Sequence, residues 1–270
     1  NDGKLIASTI FCAMIGVIIV VSQALRRYDF DPTLSPTAKE SNSKWEYVLE
    51  KEGDVAAVIF EVIQGVGGLD EADSGFYRAA ADICKEYNVM LIADEVQSGF
   101  GRTGEFFAFQ KYGIRPDIIS MAKGMGNGFP VGGILIDRKI TPHYGMLGTT
   151  FGGNHLACAA AISVLDTIKE ENLMHNAAEV SEYIREEAAK ISEIKKIKGR
   201  GLMIGLEFDF EIAALRKELL FDFQVFTGAS SNKKLLRILP PLNIQKEHFQ
   251  VFFEALQQAL KNQKISSETS

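Results

Sequence analysis

The chain has 270 residues, 29 Lys and Arg against 35 Asp and Glu, and a formal charge of −6. Hydrophobic residues make up 46%, which excludes a mainly disordered chain, and the mild acidity leaves no basic footprint for nucleic acid. Cys12, Cys84 and Cys158 are odd in number and lack metal spacing, so no disulfide framework and no metal centre is expected, and the usage fits a reducing compartment.

The first element is an apolar run, Leu5 to Leu25, 21 residues without a charge. At about 1.5 Å per residue a helix of this length just crosses the hydrocarbon core of a bilayer. Arg26 and Arg27 follow it, so a span would leave the rest of the chain in the cytoplasm. Two other readings stand beside the membrane anchor. Ser22-Gln23-Ala24 has the pattern of a signal-peptide cleavage site, and a buried core helix is the plainest account. Residues 28–43 are polar, contain Pro32 and Pro36, and read as a linker after an N-terminal segment 1–27. Residues 44–160 then read as a partial large domain, 161–262 as an interdomain helix with a small α+β domain, and 263–270 as a tail.

Three apolar runs, 55–60, 89–93 and 117–122, are short, rich in branched residues and nearly free of polar alternation. Strands buried on both faces of a parallel sheet read this way. Helical stretches over 75–87 and 104–113 separate them, giving β-α-β-α-β and an α/β fold with a doubly wound sheet. The runs end in Glu61, Asp94-Glu95 and Lys123. Parallel strands put these ends on one edge, where ligands bind in such sheets. The competing reading is that polar residues merely cap buried strands. Lys123 opens a glycine-rich stretch; a lysine desolvated there would have a lowered pKa and a nucleophilic amine, unless it only pairs with an aspartate. The P-loop pattern is absent. After residue 160, two helices, a strand pair over 194–209, the segments FQVFTGAS and LLRILPP, and a final helix over 246–261 complete a small α+β lobe.

Four motifs, FEVIQGVGG (60–68), LIADEVQSGFGRTG (91–104), PDIISMAKGMGNGFPVGG (116–133) and GTTFGGNHLACAAA (148–161), together resemble the class III aminotransferases, with the acetylornithine/succinylornithine group most alike. The likeness runs from about residue 44 to 262. It implies fold type I and pyridoxal 5′-phosphate as cofactor. By the resemblance, Lys123 matches the lysine that holds the cofactor covalently and shuttles protons. Asp94 matches the carboxylate on the pyridine nitrogen, Gln97 a hydrogen-bonding partner near the phenolic oxygen, and Val96 the apolar side chain against the ring. Val96 reads equally well as a plain core valine. Thr150 matches a threonine that reaches the cofactor phosphate of a neighbouring subunit, which implies a homodimer; a helix N-cap is its other reading. Arg237 matches the arginine that clamps a substrate α-carboxylate, against a surface ion pair. Glu61 matches a supporting acidic residue. The implied reaction transfers an amino group from an N-acylated ornithine, or a similar ω-amino donor, to 2-oxoglutarate, a step of arginine biosynthesis in the cytoplasm.

Two departures qualify this. The family's large domain carries a substantial region before the first matching strand, and only about 40 residues precede it here. A fragment, a truncated product or a fusion is therefore expected, poorly stable alone and with little or no transaminase activity. Apolar sheet edges and faces should be exposed. Val66 stands where many relatives have Glu, which weakens the substrate assignment. A non-catalytic, membrane-tethered remnant or dimerisation module is the rival function, and racemisation or decarboxylation would use the same cofactor residues.

Overall fold

The computed structural model describes residues 47, 49–51, 55–146 and 148–268. The apolar run at 5–25 lies outside them. Among the described residues no helix is long and apolar enough to cross a membrane. The chain forms two compact units: one of residues up to Val62, Ala72–Gln97 and Phe109–Val164, the other of Ile63–Glu71, Ser98–Ala108 and Leu165–Ser270.

The first unit is built on a four-stranded sheet. Its strands are β1 (Ala57–Phe60), β2 (Met90–Asp94), β3 (Ile118–Met121) and β4 (Gly133–Ile136), adjacent in that order. β1, β2 and β3 are parallel, with Phe60 opposite Ala93 and Asp94 opposite Ser120. β4 is antiparallel to β3, so the sheet is mixed; the three apolar runs form its parallel part, as expected of a parallel-rich sheet. The link from β3 to β4 is too short for a crossover, and a short link allows only an antiparallel neighbour.

Helix α1 (Ser74–Glu86) crosses from β1 to β2. Asp73 caps it, accepting the Phe76 N–H at 2.9 Å. Phe76, Tyr77, Ala80, Ile83 and Cys84 recur at helical spacing and form its buried face. The Tyr77 ring lies 5.5 Å from Phe60 and 4.5 Å from Tyr112, and its hydroxyl donates to the Val62 carbonyl at 2.6 Å. Ring pairs of this kind add about 1 kcal/mol each beyond their buried area. The helix expected over 104–113 is a single 3₁₀ turn, Ala108–Tyr112. Gly104 and Gly113 both take positive φ and end helical continuation on either side.

The second unit packs helices on an antiparallel sheet, β5 (Lys196–Arg200), β6 (Met203–Glu207) and β7 (Leu235–Ile238). Its helices are α3 (Leu173–Ala188), α4 (Ala213–Phe221) and α5 (Lys246–Glu268); α2 (His155–Glu170), which precedes α3, belongs to the first unit up to Val164. Ile184 of α3, Leu215 and Leu219 of α4 and Leu256 of α5 share one core with Leu206 and Leu236 of the sheet. The turn between β5 and β6 needs glycine at Gly201. Its φ is 53°, and a Cβ would meet Arg102 O at 2.5 Å and Thr103 Cα at 2.6 Å. FQVFTGAS forms no strand; it contributes one isolated bridge, Gly228 to Arg237.

Exposed apolar side chains do occur. Leu135 and Ile136 lie on the edge strand β4, Phe151 is 80% exposed and Leu156 71%.

Candidate active site

Asp94 closes β2 and Lys123 follows β3, so both lie at the carboxyl ends of the parallel strands. Glu61 follows the last residue of β1 and is half-buried. The three therefore share one edge, as the strand endings predict.

Asp94 is oriented by its neighbours. Its Oδ1 accepts the Val96 N–H at 3.1 Å and the Ser120 hydroxyl at 3.0 Å. Its Oδ2 has no hydrogen-bond partner among the described residues. A carboxylate with one oxygen held and the other unengaged is preorganised for an external N–H donor. Glu95, read with Asp94 as a paired ending, turns the other way. It is fully buried, and its Oε1 accepts the Phe109 N–H at 2.9 Å. That bond ties the end of β2 to the chain at Phe109.

Lys123 is not at a buried strand end. It is exposed and begins a short 3₁₀ turn, Lys123–Met125, with φ of 45°. The desolvation expected there is thus not met. Nor does Lys123 pair with a carboxylate among the described residues, so the structural ion pair is not formed. A left-handed backbone at a side chain bearing Cβ costs about 1 kcal/mol or more, and such outliers cluster at functional sites.

Val96 and Gln97 are half-buried in the turn after Asp94. Thr150 is exposed and does not cap α2: Asn154 does, its Oδ1 accepting the Ala157 N–H at 3.0 Å. The Thr149 hydroxyl accepts the Gly152 N–H at 3.1 Å, which leaves Thr150 without a hydrogen bond among the described residues.

Arg237, on β7, belongs to the second unit. Its Nη1 donates to the Gly65 carbonyl at 3.0 Å, and its buried Nε has no partner. No carboxylate pairs with it among the described residues, so the surface ion pair is absent. Arg102 is a second cation without a carboxylate. It donates to the Leu202 and Pro240 carbonyls, and burial pushes its pKa down to about 10.

A cavity of 610 Å³ lies elsewhere. It is lined by Arg78, Asp82, Lys85, Arg115, Asp117 and Lys139, at the amino ends of β2 and β3. Two ion pairs, Arg115–Asp137 and Lys139–Asp117, neutralise much of that rim. It includes none of the carboxyl-edge residues.

Sequence reading missed Ser120. The signal was present: a serine within an apolar strand must find a hydrogen-bond partner when buried.

The profile of the aminotransferase class-III family matches residues 8–260. The match starts inside the apolar run, so family likeness reaches further toward the N-terminus than residue 44. The chain is 44% identical to acetylornithine aminotransferase of Aquifex aeolicus over 77% of its length and 54% of that protein. It is 39% identical to acetylornithine aminotransferase of Bacillus subtilis over 78% of its length and 56% of that protein. Among solved structures, ornithine aminotransferase from Plasmodium yoelii superposes with a TM-score of 0.71 at 30% identity, covering 80% of this chain and 60% of that one. The chain spans about half the length of the curated relatives it matches. With its mixed α/β sheet and its strand-end carboxylate and lysine, this chain belongs to the class-III aminotransferase family.

Proposed function

We propose that the chain carries part of the catalytic apparatus of a pyridoxal-phosphate-dependent transaminase. The supporting observation is Asp94, held through Oδ1 by Val96 and Ser120 and left unengaged at Oδ2. A carboxylate oxygen free to accept fits a protonated ring nitrogen, which donates. Pyridoxal phosphate, when bound, supplies a ring that draws electrons from the substrate α-carbon.

The chain's own residues then divide the work. Asp94 keeps the ring nitrogen protonated through its negative charge. Lys123, an exposed residue, would hold the cofactor's carbonyl carbon through its amine, with loss of water, and once released would be placed to move the proton of the substrate α-carbon. Gln97 would hydrogen-bond near the phenolic oxygen, and Val96 would pack against the ring. Thr150, with its hydroxyl unengaged, serves the phosphate, and Glu61 supports the edge. Arg237, which pairs with no carboxylate among the described residues, would take the substrate carboxylate. The substrate pair is an N-acylated ornithine and 2-oxoglutarate, in keeping with the names of the acetylornithine relatives. A cytoplasmic homodimer belongs to the same reading. Exposed Phe151, Leu156 and Ile162 support it, being apolar side chains that a second copy would cover.

Titration of the full chain with pyridoxal phosphate, followed by visible absorbance, tests this. Saturable binding weakened at least about tenfold by Asp94→Ala is expected. Equal affinity in the variant overturns it. Product analysis with N-acetylornithine and 2-oxoglutarate should then show glutamate; carbon dioxide or an inverted amino acid instead would assign the site to decarboxylation or racemisation.

A further inference from the structure

The segment Ile63–Glu71 leaves β1 yet belongs to the unit that carries Arg237. It closes on itself: Gln64 N–H donates to Asp70 O at 2.9 Å and Leu69 N–H to Gln64 O at 2.8 Å. Ile63 and Leu69 are buried against Met203 and Leu235. The tip is held by one residue. Ser231 N–H donates to Val66 O at 2.9 Å, and the Ser231 hydroxyl lies 3.1 Å from Val66 O and 3.2 Å from Gly67 O. The neighbouring carbonyl, Gly65 O, accepts Arg237 Nη1.

Arg237 is constrained from a second direction. Its backbone exchanges two hydrogen bonds with Gly228, at 2.8 and 3.1 Å. A Cβ on Gly228 would stand 3.2 Å from Arg237 Nε and 3.4 Å from Arg237 Cβ. The guanidinium therefore passes over Gly228 because no side chain is there. We propose that Gly228 and Ser231 are positioning residues for Arg237. Gly228 leaves the space its guanidinium needs, and Ser231 fixes the loop whose Gly65 carbonyl sets its direction. Together they hold the Arg237 guanidinium in one direction, with Nη1 on the Gly65 carbonyl, Nε buried over Gly228 and Nη2 left without a hydrogen bond among the described residues to meet a ligand carboxylate.

This rests on the reading of Arg237 as the carboxylate-binding residue, and glutarate is the probe that separates the two. Calorimetric titration of the full chain with glutarate should give saturable binding that Arg237→Ala abolishes. Gly228→Ala should weaken it about tenfold, and Ser231→Ala about threefold, since its N–H bond survives. Ser231→Thr keeps the hydroxyl and should bind within about twofold of the native chain. Pyridoxal phosphate binding should be unchanged in the three variants at Gly228 and Ser231. If glutarate does not bind, or binds Arg237→Ala equally well, the reading of Arg237 fails and this proposal with it. If Arg237→Ala abolishes binding while Gly228→Ala and Ser231→Ala match the native chain, the positioning proposal alone is overturned. Should Gly228→Ala fail to fold, the Ser231 pair decides: equal losses in Ala and Thr contradict the proposal.

Discussion

Ser120 donates its hydroxyl to Asp94 Oδ1 at 3.0 Å, across the paired ends of β2 and β3. The pair fixes which oxygen of Asp94 remains available. Ser120→Ala should leave the fold intact and weaken pyridoxal phosphate binding about tenfold, the low end of what one hydrogen bond to a charged group is worth. Absorbance titration checks this; unchanged affinity would show that Val96 N–H alone orients the carboxylate.

Lys123 sits at φ 45°, where a Cβ is strained. Lys123→Ala and Lys123→Gly should both lose covalent cofactor attachment. The glycine variant should be more stable than the alanine variant by about 1 kcal/mol, because only glycine adopts that backbone freely. Urea unfolding of the two variants compares them directly. An alanine variant of equal or higher stability would mean the backbone relaxes without cost.

Lys198 lies 3.0 Å from Asp70 and 3.3 Å from Glu207, with only 9% of its side chain exposed. Burial lowers its pKa, but hydrogen bonding to Asp70 and the charges of Asp70 and Glu207 outweigh this and hold it above the ordinary lysine value. A raised folded-state pKa gives stability that is fully present below the unfolded lysine value. It is lost as pH rises through the folded one. Lys198→Met should therefore cost about 2 kcal/mol at neutral pH. The gap to the native chain should narrow only as pH passes upward through the lysine range. Urea melts at a series of pH values read both quantities.

Cys84 is buried, and burial followed by the charge of Asp117 pushes its pKa up to about 12. Cys158 is exposed. Brief alkylation of the folded chain at neutral pH should label Cys158 and spare Cys84, as peptide mass mapping would show. Cys84 labelling at a rate matching Cys158 would mean that α1 opens readily from the sheet.

Much of this architecture was legible because β2 and β3 are largely buried and read, with the half-buried β1, as unbroken apolar runs. β4 was not, because Gly133–Ile136 is a short, half-exposed edge strand behind glycines. The stretch 104–113 misled in the other direction. Its aromatic residues suggest a helix face, yet Phe106 and Phe107 pack on each other, 4.7 Å between ring centres, outside any helix. In the site, Asp94 and Lys123 showed themselves as strand endings. The strain at Lys123 did not, because φ is set by the turn and leaves no mark on the residue itself. The unpaired state of Arg237 was also invisible, since it depends on the fold carrying the carbonyl of Gly65 to its Nη1.

Covalent trapping tests the central claim most directly. The full chain is incubated with pyridoxal phosphate, reduced with borohydride and mapped by peptide mass spectrometry. The account predicts one stable adduct, on Lys123, absent from Lys123→Ala. An adduct on another lysine that persists in Lys123→Ala, or no adduct at all, would contradict it.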